Sequence, residues 1–199
     1  MTHFYRPADG HGLAHDPFNA IVAPRPIGWI SSLAVNGTRN LAPYSFFNAF
    51  NYRPPIVGFC SIGRKDSVTN LEATGEFVWN LVTRDLAEAM NRTATADRVD
   101  EWERAGVTAA DSTVVAPQRV ADSPVAFECR VTQVVQLRDQ HGGEIDAWMT
   151  FGEVVGVHID ERFLVDGVYD TAAARPVMRA GGPSAYYEVG ERFDLRRPD

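Results

Sequence analysis

The chain has 199 residues, of which 45% are hydrophobic and 11% aromatic, so it can bury the core of a single domain over residues 1–199. Its net charge of -7 leaves no basic excess for a phosphate backbone, which argues against nucleic acid as a partner. The sequence has no apolar secretion signal and no run of ~20 apolar residues, so we expect a cytoplasmic protein with no membrane association.

The first half of the chain predicts strands, all of them apolar or β-prone runs bounded by turn residues, over 27–35, 39–47, 56–61 and 77–82. Asn36-Gly37 is the strongest short signal for a hairpin turn, so the first two strands should pair. Pro54-Pro55 stops any helix ahead of the third strand.

Two helices are predicted in this half. Ser67 is placed to cap a short helix that runs to Thr74 and ends at Gly75. After Thr83, the helical spacing of apolar residues favours a helix of about three turns. We expect residues 93–121 to be partly loop.

The second half predicts two long strands, over 125–137 and 145–159, joined by a turn at His141-Gly142-Gly143. Gly152 and Gly156 are expected to mark bulges or a sharp coil in the second strand. Five or six strands with two or three helices indicate a mainly β protein, an antiparallel barrel or sandwich.

The segment from Ser61 to Asn70 joins a buried strand to the start of a helix. Free backbone N–H groups and the positive end of the helix dipole lie at such a junction, and Arg64 and Lys65 add charge beside them. One interpretation is a site for a terminal phosphate. The alternative is a surface loop with solvated charges and a capping Ser67.

A second segment, Asn40 to Asn48, interrupts a strand with a proline and small polar residues among aromatic ones. Irregular backbone of this kind can present N–H groups to the polar edge of a planar ring such as a flavin. The alternative is a simple strand bend that places Phe46 and Phe47 in the core.

Other chemistry has little support in the sequence. Cys60 and Cys129 lie in apolar runs, where a free thiol behaves as a small hydrophobic group. No cluster has the spacing of metal ligands, so we expect no metal site and no disulfide. We find no convincing triad or carboxylate pair either.

Motifs in series over about residues 18–160 resemble those of the flavin reductase-like family, which includes flavoredoxin. They are Arg25–Ser32, Gly37 with Asn40–Phe47, Pro54-Pro55, Lys65–Asn70 and Glu76–Asn80, followed by Gly152–Asp160. The resemblance implies a mainly β split barrel, with six antiparallel strands in a Greek key and a few flanking helices. It also implies a homodimer with one FMN per subunit near the dimer interface.

The same resemblance assigns cofactor-binding residues. Those near the ring and the ribityl chain are Trp29, Ser31 and Ser32, those that border the isoalloxazine are Tyr44, Ser45, Phe46, Phe47 and Asn48, and those on the phosphate side are Ser61, Arg64, Lys65, Ser67 and Asn70. Many relatives have Thr in place of Ser67, which keeps the hydroxyl. Trp79 stands where relatives usually carry a smaller aliphatic residue.

His158 has two interpretations. As the catalytic residue of our prediction, it lies at the flavin face and contacts nicotinamide or substrate. As a structural residue, it satisfies its hydrogen bonds near the end of a long strand. The segment Arg175–Gly182 resembles the tail that closes over the cofactor in relatives.

The function implied is an FMN-dependent oxidoreductase that oxidises NAD(P)H and supplies reduced flavin to a monooxygenase or another redox partner. Flavin supplies the redox chemistry, so no side-chain nucleophile is required. One alternative is a flavoredoxin-like FMN electron carrier with no nicotinamide turnover of its own. Another is a split barrel that binds heme or a deazaflavin, or that has lost its ligand.

Overall fold

The computed structural model describes residues 1–97 and 99–198. Its helices are α1 (Phe18–Ile21), α2 (Asp66–Thr74), α3 (Ala87–Arg92) and α4 (Glu101–Ala105), with 3-10 turns at Pro7–Asp9 and Glu161–Phe163. Its strands are β1 (Arg25–Pro26), β2 (Gly28–Leu33), β3 (Arg39–Tyr44), β4 (Phe47–Tyr52), β5 (Pro55–Ile62), β6 (Glu76–Asn80), β7 (Ala109–Ala110), β8 (Arg119–Val120), β9 (Val125–Arg138), β10 (Glu144–Ile159), β11 (Leu164–Val165), β12 (Val168–Tyr169), β13 (Val177–Arg179) and β14 (Tyr186–Glu188).

The largest sheet has seven strands in the order β3-β2-β6-β9-β10-β5-β4, and its neighbouring strands are antiparallel. The predicted mainly β, antiparallel fold is confirmed. This sheet has one strand more than the six expected, because the predicted strand over 39–47 ends early and a further strand, which was not predicted, follows it. β3 stops at Tyr44 and pairs with β2, whereas β4 begins at Phe47 and pairs with β5. Arg25 Nε donates to the Ser45 carbonyl oxygen (3.0 Å) and holds the bend between them.

The sheet is curled, because its two edge strands contribute to one core. Tyr44 of β3 and Phe47 of β4 both belong to the cluster around Ile30, Phe59 and Phe77. Side chains alternate between the faces of a strand, so Trp29 points away from Ile30. It joins a second cluster with residues of α3 and α4. A small sheet, β1-β13-β14, ties the C-terminal tail to the start of β2.

The long strands β9 and β10 contain the predicted bulges. Their pairing register shifts between Phe151 and Gly152 and again between Val154 and Gly156. At Gly152 the reason is a close approach, since an added Cβ would lie 2.4 Å from Cε1 of the buried Phe77 ring. This position therefore requires glycine for space.

We expect Gly152→Ala to lower the free energy of unfolding by about 1–3 kcal/mol, because the methyl group must displace Phe77 from a packed core. Urea unfolding followed by tryptophan fluorescence measures the change. Gly190→Ala is the matched control, since no atom of the described residues lies within 4 Å of its added Cβ. Equal stability of the two variants would contradict this account of the bulge.

The helices differ from expectation in their starts and lengths. α2 begins at Asp66 with Lys65 as its cap residue, so Ser67 lies within the first turn and does not cap it. Gly75 ends α2 as predicted, with φ of 73° and its N–H bonded to the Leu71 carbonyl oxygen. α3 is shorter than the three turns predicted. None of the helices in the described residues has the length and apolar character of a membrane span.

Candidate functional site

A cleft of about 510 Å³ lies between β3, the first turn of α2 and the segment 93–97, with Glu101 of α4 at its side. We call it the Tyr44 cleft. β3 contributes Asn40 and Tyr44, and the start of α2 contributes Lys65 and Ser67. The structure thus brings together two motifs that the sequence singled out separately.

The floor of this region is a buried hydrogen-bond network. Asn40 Nδ2 donates to Ser67 Oγ (2.9 Å) and to Ser32 Oγ (3.3 Å), and Asn70 Nδ2 donates to Ser32 Oγ (3.1 Å). All four residues are buried. Ser67 serves this network instead of capping α2, because its hydroxyl meets a partner 27 residues away in sequence. The network fixes the positions of polar groups that would otherwise be costly to bury.

Tyr44 leaves a polar atom unsatisfied. Its ring packs against Phe59 with centroids 4.5 Å apart, and its hydroxyl is buried. The hydroxyl lies beside those of Ser67 and Ser61 but makes no hydrogen bond of normal geometry within the described residues. Burial raises the pKa of Tyr44, although the two serine hydroxyls oppose the shift. A buried hydroxyl without a partner favours a polar ligand or water beside it.

The charged residues of the described chain that line the Tyr44 cleft are one lysine, Lys65, and three acidic residues, Asp66, Asp97 and Glu101. Lys65 lies at the start of α2, where the helix dipole also favours an anion. Glu101 lies on the other side, and its carboxylate accepts a long hydrogen bond (3.4 Å) from the Leu41 N–H. Burial raises the pKa of Glu101, and the charges of Asp100 and Asp66 act in the same direction.

Several residues predicted for the cofactor lie outside the lining of this cleft. Arg64 forms an ion pair with Glu72, and its guanidinium group lies 5.1 Å from the centre of the Trp148 ring. Trp29 is fully buried and donates from Nε1 to Thr93 Oγ1 (3.0 Å). It therefore supports the segment 93–97 from behind. Ser31 is buried in β2, and Ser61 donates to the Gly63 carbonyl oxygen (2.7 Å).

The residues after the bend line two other cavities. Phe46, Phe47 and Asn48 face a separate groove of about 490 Å³ that also includes Cys60. The Phe47 ring stacks on Trp79 at 5.2 Å, so the large Trp79 fills the core at that position. Ser45 lines a third cavity, which adjoins the Tyr44 cleft. The assignments of these residues to FMN remain predictions.

His158 lies in a different part of the molecule. Among residues 1–97 and 99–198, its groove of about 760 Å³ shares no lining residue with the Tyr44 cleft. His158 Nε2 is 2.5 Å from Oε1 of Glu128, which is fully buried. The structure thus gives His158 a structural partner, and its catalytic role remains a prediction.

Glu128 is a residue that the sequence analysis missed. Its carboxylate accepts N–H groups from Thr113 (2.7 Å), Val114 (2.5 Å) and Val115 (2.9 Å), as well as contacting His158. Burial opposes its ionisation, but the bonds from His158 and these N–H groups outweigh burial and lower the pKa of Glu128 to about 2. Its position in an alternating strand gave no signal of this role.

Comparison with known proteins adds the remaining evidence. A family model for a flavin reductase like domain matches residues 22–176. An uncharacterized protein of Halalkalibacterium halodurans is 36% identical over 185 residues, which cover 89% of this chain and 87% of that protein. The structure of nitrilotriacetate monooxygenase component B from Bacillus cereus superposes with a TM-score of 0.83 at 26% identity, over 92% of this chain and 98% of that one. The 2-nitrobenzoate 2-nitroreductase of Pseudomonas fluorescens has a TM-score of 0.80 at 30% identity, over 91% of this chain and 88% of that one.

Proposed function

The chain belongs to the flavin reductase-like family, and from that premise we propose that it binds FMN in the Tyr44 cleft and reduces it with NAD(P)H. Family and fold make it a flavin-related oxidoreductase with a split barrel. One observation favours FMN: the buried hydrogen-bond network at the floor of the cleft lies near Lys65 at the start of α2. This arrangement suits a ligand with a phosphate at one end.

The residues present fit such a ligand. Lys65 would hold the phosphate by charge, and Ser67 would offer its hydroxyl beside the start of α2. We prefer Lys65 to Arg64 here, because Arg64 is engaged by Glu72 and Trp148. The unsatisfied Tyr44 hydroxyl would gain a polar partner from the ligand.

When bound, FMN would supply the redox chemistry, which is hydride and electron transfer. The chain itself would bind and orient the cofactor and keep water from part of it. Its buried network holds Ser67 and Asn40 in fixed positions, so their polar groups are placed before the ligand arrives. No side-chain acid or base is required by this account.

Anaerobic mixing of the FMN-loaded protein with NADH or NADPH tests the proposal. We expect the flavin absorbance to bleach at a catalytic rate with at least one of the two nucleotides. If the flavin stays oxidised with both but is reduced by dithionite, the protein is an electron carrier of the flavoredoxin type. A protein that retains no flavin contradicts the proposal altogether.

We also propose that the reduced flavin passes its electrons to a separate acceptor. One similar structure is component B of a nitrilotriacetate monooxygenase, and another is a 2-nitrobenzoate 2-nitroreductase. Reduced flavin would therefore go to a separate monooxygenase, to another redox protein or to a small acceptor. Oxygen-free transfer to cytochrome c, measured with and without free FMN, separates direct protein transfer from diffusing flavin.

We expect a homodimer. β4 is an edge strand whose residues from Asn48 to Tyr52 are all exposed, including Phe50 at 53% and Tyr52 at 82%. Apolar side chains on a free sheet edge favour association, and two-fold dimers are the commonest assemblies. Sedimentation at micromolar concentration measures the state. A monomer that still binds flavin tightly would contradict this expectation.

His158→Ala separates the two interpretations of that residue. We expect the melting temperature to fall, with a loss of about 0.5–3 kcal/mol, because Glu128 loses a partner in a buried site. Stopped-flow reduction of the FMN-loaded variant is the second measurement. A slower reduction with unchanged FMN affinity would support the predicted catalytic role, whereas unchanged kinetics assign His158 to the Glu128 cluster.

A further inference from the structure

The groove that contains His158 has a volume of about 760 Å³, which lies within the ~300–1,000 Å³ typical of ligand sites. We call it the His158 groove. Part of its wall is apolar and comes from Pro124, Ile159 and Phe163. Because the described residues that line it are all different from those of the Tyr44 cleft, a ligand could bind here while the cleft is filled.

Among the described residues, Arg119 is the one arginine of the His158 groove without an acidic partner. The others that line it, Arg84, Arg162 and Arg175, each form an ion pair with a carboxylate. Arg119 is half-buried, and its Nε is enclosed without a hydrogen-bond partner. A partly buried guanidinium group without a counter-ion leaves a positive charge that a bound anion can neutralise.

Arg119 presents this charge from a well-supported position. It lies in β8, where the N–H of the next residue, Val120, donates to Oδ1 of the buried Asn80 (2.8 Å). Since Nε is enclosed, the Nη atoms are the donors that a ligand in the groove can reach. A side chain whose stem is already held loses little rotamer entropy when it binds an anion.

His158 adds a second polar group to the same wall. Its Nε2 is 2.5 Å from Oε1 of the buried Glu128, so the ring is held with Nδ1 on the side away from that carboxylate. The His158 side chain is 28% exposed and lines the groove. When the ring is protonated, Nδ1 is a donor as well as Nε2.

One acidic side chain of the groove also lacks an ion-pair partner within the described residues. Asp122 is exposed and lies three residues after Arg119. Its negative charge repels an anion and therefore lowers the affinity that Arg119 and His158 can give. Removal of this charge thus tests which sign of charge the groove recognises.

These groups indicate the chemistry of the ligand. A phosphate monoester carries about -1.5 to -2 charge at pH 7 and has three acceptor oxygens, so it can accept from the Nη atoms of Arg119 and from Nδ1 of His158 together. The apolar wall leaves room for an organic body beyond the phosphate. We propose that the His158 groove binds a small phosphate monoester at a site separate from that of the flavin.

Phenyl phosphate and phenol are matched probes, since they share a ring and differ in the phosphate. Calorimetric titration of the FMN-loaded protein should show one phenyl phosphate per chain, bound at least about tenfold more tightly than phenol. Arg119→Gln should remove this preference, and Arg119→Lys should keep part of it. Asp122→Asn should strengthen phenyl phosphate binding by about twofold or more. Arg138→Gln is the control, because it removes a positive charge from an exposed pair outside the groove and should change nothing.

Two spectroscopic measurements locate the probe. The NMR resonances of the His158 ring, assigned by their absence in His158→Gln, should shift with phenyl phosphate and stay unchanged with phenol. Flavin fluorescence should show that FMN remains bound throughout. Release of FMN by phenyl phosphate would place the probe in the Tyr44 cleft and overturn the proposal.

Equal affinity for the two probes would also overturn the proposal, and this comparison on the unchanged chain decides even if Arg119→Gln fails to fold. Weaker binding in Asp122→Asn would show that the groove does not recognise negative charge. An equal loss in Arg138→Gln would show a general effect of charge and would overturn the assignment as well. A chain that binds no FMN but still binds phenyl phosphate through Arg119 would refute the proposed function and leave the His158 groove assigned.

Discussion

Replacing Glu128 by glutamine is expected to lower the free energy of unfolding at pH 7 by about 3 kcal/mol or more. The carboxylate is fully buried and holds three successive backbone N–H groups and His158. A glutamine amide has only one acceptor oxygen and presents an NH₂ group toward donors, so some of these donors lose their partner. Breaking a buried charged network in this way costs more than most point changes.

The stability that the Glu128 carboxylate contributes should change with pH in a defined direction. Glu128 has its pKa lowered from 4.5 to about 2 in the folded protein, so its contribution is fully present above pH 4.5. It is lost as the pH falls from there toward 2, and the shift corresponds to about 3 kcal/mol. The unchanged chain should therefore lose stability over this range more steeply than Glu128→Gln.

Urea unfolding at a fixed protein concentration between pH 7 and pH 3 measures both effects. Glu144→Gln is the control, because that carboxylate pairs with Arg138 at the surface and should contribute less than about 1 kcal/mol. If Glu128→Gln and the unchanged chain lose stability in parallel as the pH falls, the role assigned to Glu128 is wrong.

Lys65→Ala is expected to weaken FMN binding by about 10- to 100-fold while weakening riboflavin binding much less. The two ligands differ in the phosphate, and Lys65 is the residue that we assign to it at the start of α2. A charge-assisted contact of this kind contributes about 1.5–3 kcal/mol. Equilibrium titration followed by flavin fluorescence gives both affinities.

The neighbouring Arg64→Ala is the matched control for Lys65. It removes the same charge one residue earlier, but from a side chain held by Glu72 and Trp148. We expect little change in FMN affinity. A large loss of FMN affinity in Arg64→Ala with none in Lys65→Ala would assign the phosphate to Arg64. Equal losses of affinity for FMN and riboflavin would show that this segment does not bind the phosphate.

The sequence predicted those parts of the fold that depend on local signals. The turn at Asn36-Gly37 forms as expected, with Gly37 at φ of 86°. The bulges at Gly152 and Gly156 also occur, because a glycine inside a strand marks a local irregularity. β4 was missed because all of its residues after Phe47 are exposed. Its sequence therefore lacks the alternation of apolar and polar residues that marks a half-buried strand.

Parts that depend on distant contacts could not be predicted. α4 forms within the segment that was expected to be partly loop. Its start is fixed by the Asp100 carboxylate, and its packing is fixed by the buried Trp102. Asn40 and Ser67 lie in two separate sequence motifs, and the sequence did not show that these motifs meet. The pairing of Arg25 with Arg179 joins the two ends of the chain, and no local pattern reports it.

The central claim is that the Tyr44 cleft binds FMN, and titration of the flavin-free protein with FMN tests it most directly. The absorption spectrum and the quenching of flavin fluorescence should both saturate at one FMN per chain, with riboflavin bound more weakly. A spectrum that stays that of free flavin at every ratio would contradict the account, and so would equal affinity for FMN and riboflavin.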